Sequence, residues 1–338
     1  MREKWYYRGA PSEEVAVSSR VRLARNLAGR RFCGAMGEAE RAELGAELVA
    51  ALREVRPDYR ILKMEELSAP EREELLEKHL VSAEFLSGPL VGRALCLSPD
   101  ESVSVMVCEE DHLRIQVLLP GEQLGEALTA ARKLDEALAG KLTFATDEEL
   151  GYLTHCPTNV GTGLRSSVML CLPGLRASGE LAPLFRGVEK LGLTVRGLYG
   201  EGSESEGDLF QLSNQVTLGR SEDEITQTVR GAAEQLIKRE RAARAALVKE
   251  DEAAVRDTVL RARGTLERAV LMNYRELLRL LSTVRLGLSE GMLSGPSYAD
   301  LTALILTCGR GGLGGENVTA RERDKRRAER VNYLKFSD

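Results

Sequence analysis

The chain has few of the features that mark membrane, secreted or nucleic-acid-binding proteins. Its 338 residues contain no apolar run of the roughly 18 residues that a membrane-spanning helix needs. The N-terminal segment MREKWYYRGA has no apolar stretch typical of a secretory signal. The formal net charge of −5 argues against a general binder of membranes or nucleic acid. We therefore expect a soluble, cytoplasmic protein that does not bind nucleic acid directly.

Motifs of several well-known enzyme classes are also absent. None of the six cysteines forms a C-x-x-C pair, and the three histidines do not combine with them at zinc-finger spacing. There is no Walker loop, no H-R-D with D-F-G pair and no dinucleotide fingerprint. We predict reduced and mostly buried thiols, and no metal site formed by the protein alone.

The hydrophobic pattern predicts an α/β (α+β) fold followed by helices. Apolar residues alternate at 15–23, at 103–107 and at 115–119, which is typical of strands. Helical spacing and capping signals predict helices over 36–56, 121–142 and 221–248. Between 151 and 219, short strands, one of them at 208–218, alternate with glycine-rich loops, and a helix is predicted near 179–191.

The pattern changes after residue 250. Residues 250–310 are typical of helices without a clear strand, and GRGGLGGE at 309–316 is predicted to be a flexible loop. The length fits about two domains. We predict an α/β domain at 15–245 and an all-α domain at 246–338.

Charged residues in strand and loop contexts are the candidate site. Arginines on strands are unusual enough to examine, although each one alone is more simply an edge or surface residue. Together they could form a cationic binding surface for polyphosphate, because the guanidinium is a rigid bidentate donor. The carboxylates at 109–111 and at 201 could in turn hold a cationic substrate, or they could be a polar turn and an acidic loop. The arginines are Arg20, Arg22, Arg114, Arg165 and Arg196.

Three segments resemble the signature segments of the phosphagen (guanidino) kinases. They are CPTNVGTGLRSSVM at 156–169, EEDHLRIQ at 109–116 and RGLYGE at 196–201. Further segments resemble the protein-arginine branch of that family, namely SSRVRLARNL at 18–27, EKHL at 77–80, SNQVTLG at 213–219 and RDKRRA at 323–328. The resemblance covers nearly the whole chain. It implies a phosphagen-kinase-like domain with an antiparallel sheet flanked by helices, and the use of ATP and Mg²⁺.

The resemblance also implies roles for single residues. Glu110 and Glu201 would grip and deprotonate the guanidinium, which has a pKa above about 12 and is not nucleophilic as a cation. Cys156 would be the reactive cysteine, although His155 stands before it where a small hydroxyl residue is expected. The implied nucleotide-binding residues are Ser18, Ser19, Arg20, Val21, Arg22, His79, Arg114, Arg165, Ser166, Ser167, Val168, Met169, Arg196, Gly197, Leu198, Tyr199, Gly200 and Glu201.

The two ends of the sequence suggest what kind of substrate the enzyme accepts and how it is regulated. Guanidino kinases of small metabolites carry a helical domain before the catalytic domain, whereas only a short lead precedes Val15 here, so we expect an open site that accepts an arginine on a polypeptide. At the other end, RDKRRA is most simply a solvated helix, but the resemblance implies a phosphoarginine-sensing pocket. Its residues are Arg323, Asp324, Lys325, Arg326, Arg327 and Ala328.

The sequence therefore favours a kinase of protein arginines. The resemblance implies protein substrates that are marked for Clp-type proteolysis, an McsA-type activator, a CtsR-type repressor and a ClpC-type unfoldase. A homodimer is also expected, because the extra helical domain has an apolar face to bury. Two alternatives stay open: a kinase of free arginine or another small guanidino compound, and an adaptor that reads phosphoarginine without catalysis.

Overall fold

The computed structural model describes residues 3–198 and 205–337. The strands are β1 (Ala16–Arg25), β2 (Arg60–Lys63), β3 (Ala94–Leu97), β4 (Val103–Val107), β5 (Leu113–Pro120), β6 (Thr146–Asp147), β7 (Gly151–Tyr152), β8 (Leu164–Cys171), β9 (Leu193–Gly197) and β10 (Leu209–Asn214). The helices are α1 (Glu38–Val55), α2 (Ala69–Glu77), α3 (Ala83–Leu86), α4 (Leu124–Ala139), α5 (Pro173–Ala177), α6 (Leu181–Glu189), α7 (Glu222–Glu250), α8 (Glu252–Arg268), α9 (Tyr274–Ser289), α10 (Tyr298–Thr307) and α11 (Ala320–Val331).

The main sheet has the strand order β2-β3-β4-β5-β1-β8-β10-β9, and its neighbouring strands are antiparallel. The antiparallel sheet flanked by helices is thus confirmed. β1 lies at its centre, between β5 and β8. The register places Arg22 of β1 opposite Arg165 of β8, and Ala24 opposite Arg114 of β5. The pairing therefore gathers arginines from three strands that are distant in sequence.

The two faces of the sheet have different partners. Val21 and Leu23 of β1 are fully buried in the main core, together with apolar residues of α1, α4 and α7. Because side chains alternate along a strand, Arg20 and Arg22 lie on the opposite face. That face carries the site.

A second apolar core belongs to the C-terminal helices α8–α11, and residues of the sheet such as Val17 and Leu209 contribute to it. The long helix α7 connects the two regions. Its Glu240 accepts hydrogen bonds from the backbone N–H groups of Gly174 and Leu175 at 2.9 Å. Arg244 pairs with Glu240 at 2.6 Å and reaches Ser289 of α9. The predicted boundary between residues 245 and 246 falls inside α7, and the division into two domains stays a prediction.

Two local predictions were wrong. The strand predicted at 208–218 ends at Asn214, because Thr217 turns away to donate a hydrogen bond to the carbonyl oxygens of Thr158 and Val160. The loop predicted at 309–316 is instead folded into two 3-10 turns, 311–313 and 315–317, that pack on α2.

The contact between α2 and the glycine turns is close. A Cβ atom on Gly311 would lie 2.4 Å from the backbone nitrogen of Glu74, so only glycine fits there. The carboxylate of Glu77 accepts hydrogen bonds from the N–H groups of Gly311 and Gly312. The glycines at 309–316 therefore serve close packing.

In the described ranges, no helix is both long and apolar enough to cross a membrane.

Candidate active site

A cavity of about 480 Å³ opens on the arginine-bearing face of the sheet. We call it the main cavity. Its lining includes the five arginines predicted from the sequence, which we call the arginine cradle: Arg20, Arg22, Arg114, Arg165 and Arg196. Glu84, Glu110 and Cys156 line the same cavity. The structure thus brings the five predicted arginines together with Glu110 and Cys156.

Within residues 3–198 and 205–337, Arg114 is the member of the cradle that forms ion pairs with carboxylates. Arg20 donates to the side-chain oxygen of Gln211 at 2.8 Å, and Arg165 to the hydroxyl of Ser213 at 3.2 Å. Burial, followed by repulsion from Arg165 and Arg114, lowers the pKa of Arg20 to about 10. Burial and neighbouring arginines also lower the pKa of Arg22 and of Arg165. Packing these cations together is unfavourable unless an anion binds them, and a polyphosphate fits that requirement.

A smaller cavity adjoins the cradle and is lined by Ser18, Arg20, His79, Ser167 and Met169 among others. His79 follows α2 and has φ of 57°. Its backbone carbonyl accepts a hydrogen bond from Gln116 of β5 at 2.8 Å. Burial, followed by the charge of Arg20, lowers the pKa of His79 to about 4. The imidazole is therefore neutral at physiological pH and can accept or donate one hydrogen bond beside the cradle.

The lowered pKa of His79 predicts an acid-sensitive fold. The unfolded chain binds this proton near pH 6.5 and the folded chain only near pH 4, so the unfolded state binds more protons between these values. The free energy of unfolding should therefore fall as the pH drops from 6.5 to 4, by at most roughly 3 kcal/mol from this group. His79→Gln should flatten that dependence, as measured by urea unfolding at pH 7 and pH 5. Part of the slope should persist, because burial also lowers the pKa of His112. An unchanged slope would show that His79 does not titrate in this way.

The turn between β4 and β5 carries three consecutive carboxylates, and their side chains lie in different environments. Asp111 is buried and accepts hydrogen bonds from the side chain of Asn26 and from the N–H of His155, both at 2.7 Å. Glu109 is buried, accepts a hydrogen bond from the hydroxyl of Ser82 and pairs with Arg114 at 2.7 Å. Glu110 is more exposed, lines the main cavity and also pairs with Arg114. Of the three, only Glu110 is available to a substrate.

The Cys156 loop is held against this turn. The Cys156 Sγ lies 3.0 Å from the hydroxyl of Thr158, and the thiol is partly exposed. The loop is fixed by the bonds that Thr217 donates, and by the N–H of His155 on Asp111. The imidazole of His155 packs edge-on against Phe32, with ring centroids 5.7 Å apart. Cys156 and Glu110 are thus positioned by adjoining, well-bonded segments.

Several predicted nucleotide-binding residues lie away from both cavities. Val21 and Val168 are in the main core, Ser166 is buried, and the hydroxyl of Ser19 donates to the carbonyl of Gly121. Consecutive residues of a strand point to opposite faces, so a whole motif cannot face one ligand. Gly197 and Leu198 do line the main cavity. Tyr199, Gly200 and Glu201 lie outside the described residues.

Several residues of the main cavity were not among the predicted site residues, and Gln211 and Glu84 are the two that bear on its chemistry. Gln211 lies on β10 opposite Arg196 and bonds Arg20. The sequence signal for Gln211 was that it is a polar residue between the apolar residues Phe210 and Leu212 of a strand. Glu84 lies on the short helix α3, which no periodicity could reveal.

The predicted phosphoarginine residues divide into two groups. Arg323, Asp324 and Arg327 line a second cavity of about 520 Å³, the C-terminal cavity, together with Glu77 and others. Arg327 is buried and donates to the carbonyls of Cys308 and Met272 and to Asp324, each at 2.7 Å. Three predicted residues, Lys325, Arg326 and Ala328, do not line it.

No cluster of three or more histidine, cysteine or acidic side chains in the described ranges could hold a metal ion. The main cavity instead offers a large cationic surface beside a carboxylate and a thiol. Such a site can bind an anion and a cation next to one another. That combination suits the transfer of a phosphoryl group to a guanidinium.

Comparison with known proteins also indicates an enzyme that transfers a phosphoryl group to a guanidinium. Residues 43–243 match the family model of the ATP:guanido phosphotransferase C-terminal catalytic domain, and residues 252–334 match that of the protein-arginine kinase McsB C-terminal domain. β1, which supplies Arg20 and Arg22, lies before the first matched range but at the centre of the sheet.

Curated relatives match along most of the chain. The protein-arginine kinase of Halalkalibacterium halodurans is 42% identical over 341 residues, covering 99% of this chain and 96% of the relative. That of Desulforamulus reducens is 46% identical over 308 residues, covering 90% and 86%.

Solved structures share the fold. A duplicated taurocyamine kinase from Schistosoma mansoni with transition-state analogue components is 28% identical, with a TM-score of 0.60 over 67% of this chain and 33% of that one. A lombricine kinase is 25% identical, with a TM-score of 0.58 over 69% and 68%. With its antiparallel sheet, its arginine cradle and these matches, the chain belongs to the ATP:guanido phosphotransferases, the guanidino kinase family of ATP-using phosphotransferases that includes the protein-arginine kinases.

Proposed function

We propose that this enzyme transfers the γ-phosphoryl group of ATP to the guanidinium of arginine side chains in proteins. The observation that carries the proposal is the juxtaposition of Glu110 and Cys156 with the arginine cradle in one cavity. The match to curated protein-arginine kinases, which covers 96% and 86% of the two relatives, supports a protein as the acceptor.

In the proposed mechanism, the cradle binds the phosphates and aligns them with the acceptor nitrogen. Glu110 holds the guanidinium and takes a proton from that nitrogen as its bond to phosphorus forms and the bond from phosphorus to the ADP oxygen breaks. Arg114, which already pairs with Glu110, connects the base to the phosphate side of the cavity. The thiol of Cys156 adds a polar contact for the guanidinium. Glu201, outside the described residues, is proposed as the second acid.

Mg²⁺ is proposed to enter with the nucleotide. It favours oxygen ligands in an octahedral arrangement and commonly binds substrate phosphates and water in kinase sites. The described residues contain no cluster of acidic side chains that would hold it alone. Its contribution would be to neutralise developing charge on the phosphates, while the cradle orients them.

The C-terminal cavity is proposed to bind phosphoarginine, with Arg323 towards the phosphate and Asp324 towards the guanidinium. Glu77 of α2 lines the same cavity, and α2 leads directly to His79 at the smaller cavity beside the cradle. This continuity supports regulation of phosphoryl transfer from the C-terminal domain. The finer proposals are a homodimer, an McsA-type activator, a CtsR-type repressor and delivery of marked proteins to a ClpC-type unfoldase in the cytoplasm.

Asp324→Ala should leave basal phosphoryl transfer within about twofold but weaken the response to phosphoarginine at least about tenfold, because a charge-assisted contact to the guanidinium is lost. The measurement is the initial rate as phosphoarginine is titrated. Glu329→Ala, on the same helix but outside the cavity, is the control. A wild-type response in Asp324→Ala would exclude this residue from the sensor.

The proposed function is tested by incubating the enzyme with Mg-ATP and either casein or free arginine. We expect acid-labile phosphate on casein, formed faster than phosphoarginine from the free amino acid. Faster turnover of free arginine would point to a small-metabolite kinase. No transfer to either acceptor, with phosphoarginine still bound, would favour a non-catalytic adaptor.

A further inference from the structure

The charges around the main cavity are unbalanced, and one carboxylate stands apart. Among the described residues that line it, five arginines face two carboxylates, Glu84 and Glu110. Glu110 is already paired with Arg114. Glu84 is exposed and makes no ion pair with any residue in the ranges that the structure describes. It is therefore the carboxylate at which an incoming cation meets no competitor.

The helix that carries Glu84 is attached by hydrogen bonds to the turn between β4 and β5, which carries Glu109 and Glu110. The hydroxyl of Ser82 caps α3 by accepting from the N–H of Phe85 at 3.0 Å, and it donates to Glu109. Arg93 donates to the carbonyls of Phe85 at 2.7 Å and Cys108 at 3.1 Å. Phe85 is fully buried. The backbone of Glu84 is therefore held at a fixed position relative to the turn between β4 and β5.

A cationic substrate has an electrostatic difficulty at this cavity. The guanidinium must enter a space whose cradle repels it, and the base Glu110 is held by Arg114. A carboxylate without a partner at the cavity wall offsets this repulsion and offers the planar bidentate geometry that a guanidinium prefers. Glu84 meets both conditions, whereas Glu110 must exchange its contact with Arg114 for one with the guanidinium.

We propose that Glu84 is a substrate-binding residue that receives the guanidinium of the target arginine and holds it while Glu110 carries out the proton transfer. The inference deepens the proposed function and rests on it. Glu84 binds charge and moves no proton, so its contribution lies in KM for the arginine substrate. Glu110, in contrast, contributes to kcat.

The test compares wild type, Glu84→Gln and Glu65→Gln in steady-state kinetics with an arginine-containing peptide and with the same peptide carrying a lysine beside the arginine. Glu65 is likewise exposed and does not line the cavity. We expect Glu84→Gln to raise KM about tenfold for both peptides, the loss typical of a hydrogen bond to a charged group. The kcat, the KM for Mg-ATP and the thermal midpoint should match the control, and Glu84→Asp should recover part of the loss.

Each other outcome contradicts the inference. An unchanged KM would remove Glu84 from substrate binding. A fall in kcat alone would place it in the chemistry, and a raised KM for Mg-ATP would place it with the nucleotide. An effect confined to the lysine peptide would mean that Glu84 reads a neighbouring cation. Absence of peptide phosphorylation by the wild type would instead contradict the proposed function. Failure of the proposed function is therefore distinguishable from failure of the inference about Glu84.

Discussion

Replacing Glu110 with glutamine should lower kcat by about 10²–10⁴-fold, the usual contribution of a general base. The amide keeps the size and one oxygen of the side chain but cannot accept the guanidinium proton at neutral pH. Affinity for ATP should stay within about threefold, because the substitution removes no member of the arginine cradle. If anything, binding should tighten, since Arg114 loses one of its two acidic partners and becomes freer for phosphate.

The measurement pairs single-turnover transfer to a peptide arginine with calorimetric titration of ATP. Glu136→Gln on the exposed face of α4 is the matched control, because it changes the same group away from the cavity. Full activity of Glu110→Gln would assign the base elsewhere. Loss of ATP binding would mean that Glu110 acts chiefly by positioning Arg114.

The second large effect concerns the junction between α7 and the C-terminal helices. Glu240→Ala should lower the free energy of unfolding by about 3–5 kcal/mol, because the change leaves buried Arg244 without its ionic partner. Both side chains are almost completely inaccessible, at 0% and 1% exposure. The substitution also removes the acceptor for two N–H groups at the start of α5. Urea unfolding of the full chain measures the loss.

The control for this prediction lies on the same helix. Glu234 forms an exposed pair with Arg230 at the same sequence spacing, and Glu234→Ala should cost at most about 1 kcal/mol. Glu240→Gln should fall between the two, since the amide oxygen can keep one hydrogen bond. Equal stability of Glu240→Ala and Glu234→Ala would mean that Arg244 finds another partner or reaches water.

Much of the site could be anticipated from the sequence. Arg20 and Arg22 are two residues apart on a strand, which fixes them to one face, and the predicted antiparallel sheet gives Arg114 and Arg165 a route to the same face. The fold class followed from the same alternation and from the resemblance of the signature segments. The five described arginines of the predicted set do converge on one cavity.

The rest depends on contacts between distant segments, which local patterns do not encode. Asp111 and Glu110 are adjacent and chemically alike, yet one is buried on Asn26 while the other faces the cavity. Glu84 sits on a helix of four residues, too short for a periodic signal. The glycines at 309–316 suggest a flexible loop from sequence alone, but Gly311 and Gly315 pack so closely on α2 that a Cβ atom would clash with its residues.

The central claim is that a protein arginine is the acceptor of the phosphoryl group. It is tested most directly by site-resolved mass spectrometry of casein after incubation with Mg-ATP, at a pH that preserves P–N bonds. We expect phosphate on arginine residues with wild type and its near absence with Glu110→Gln. Phosphate confined to serine, threonine or tyrosine, or none on casein while free arginine is turned over, would contradict the account.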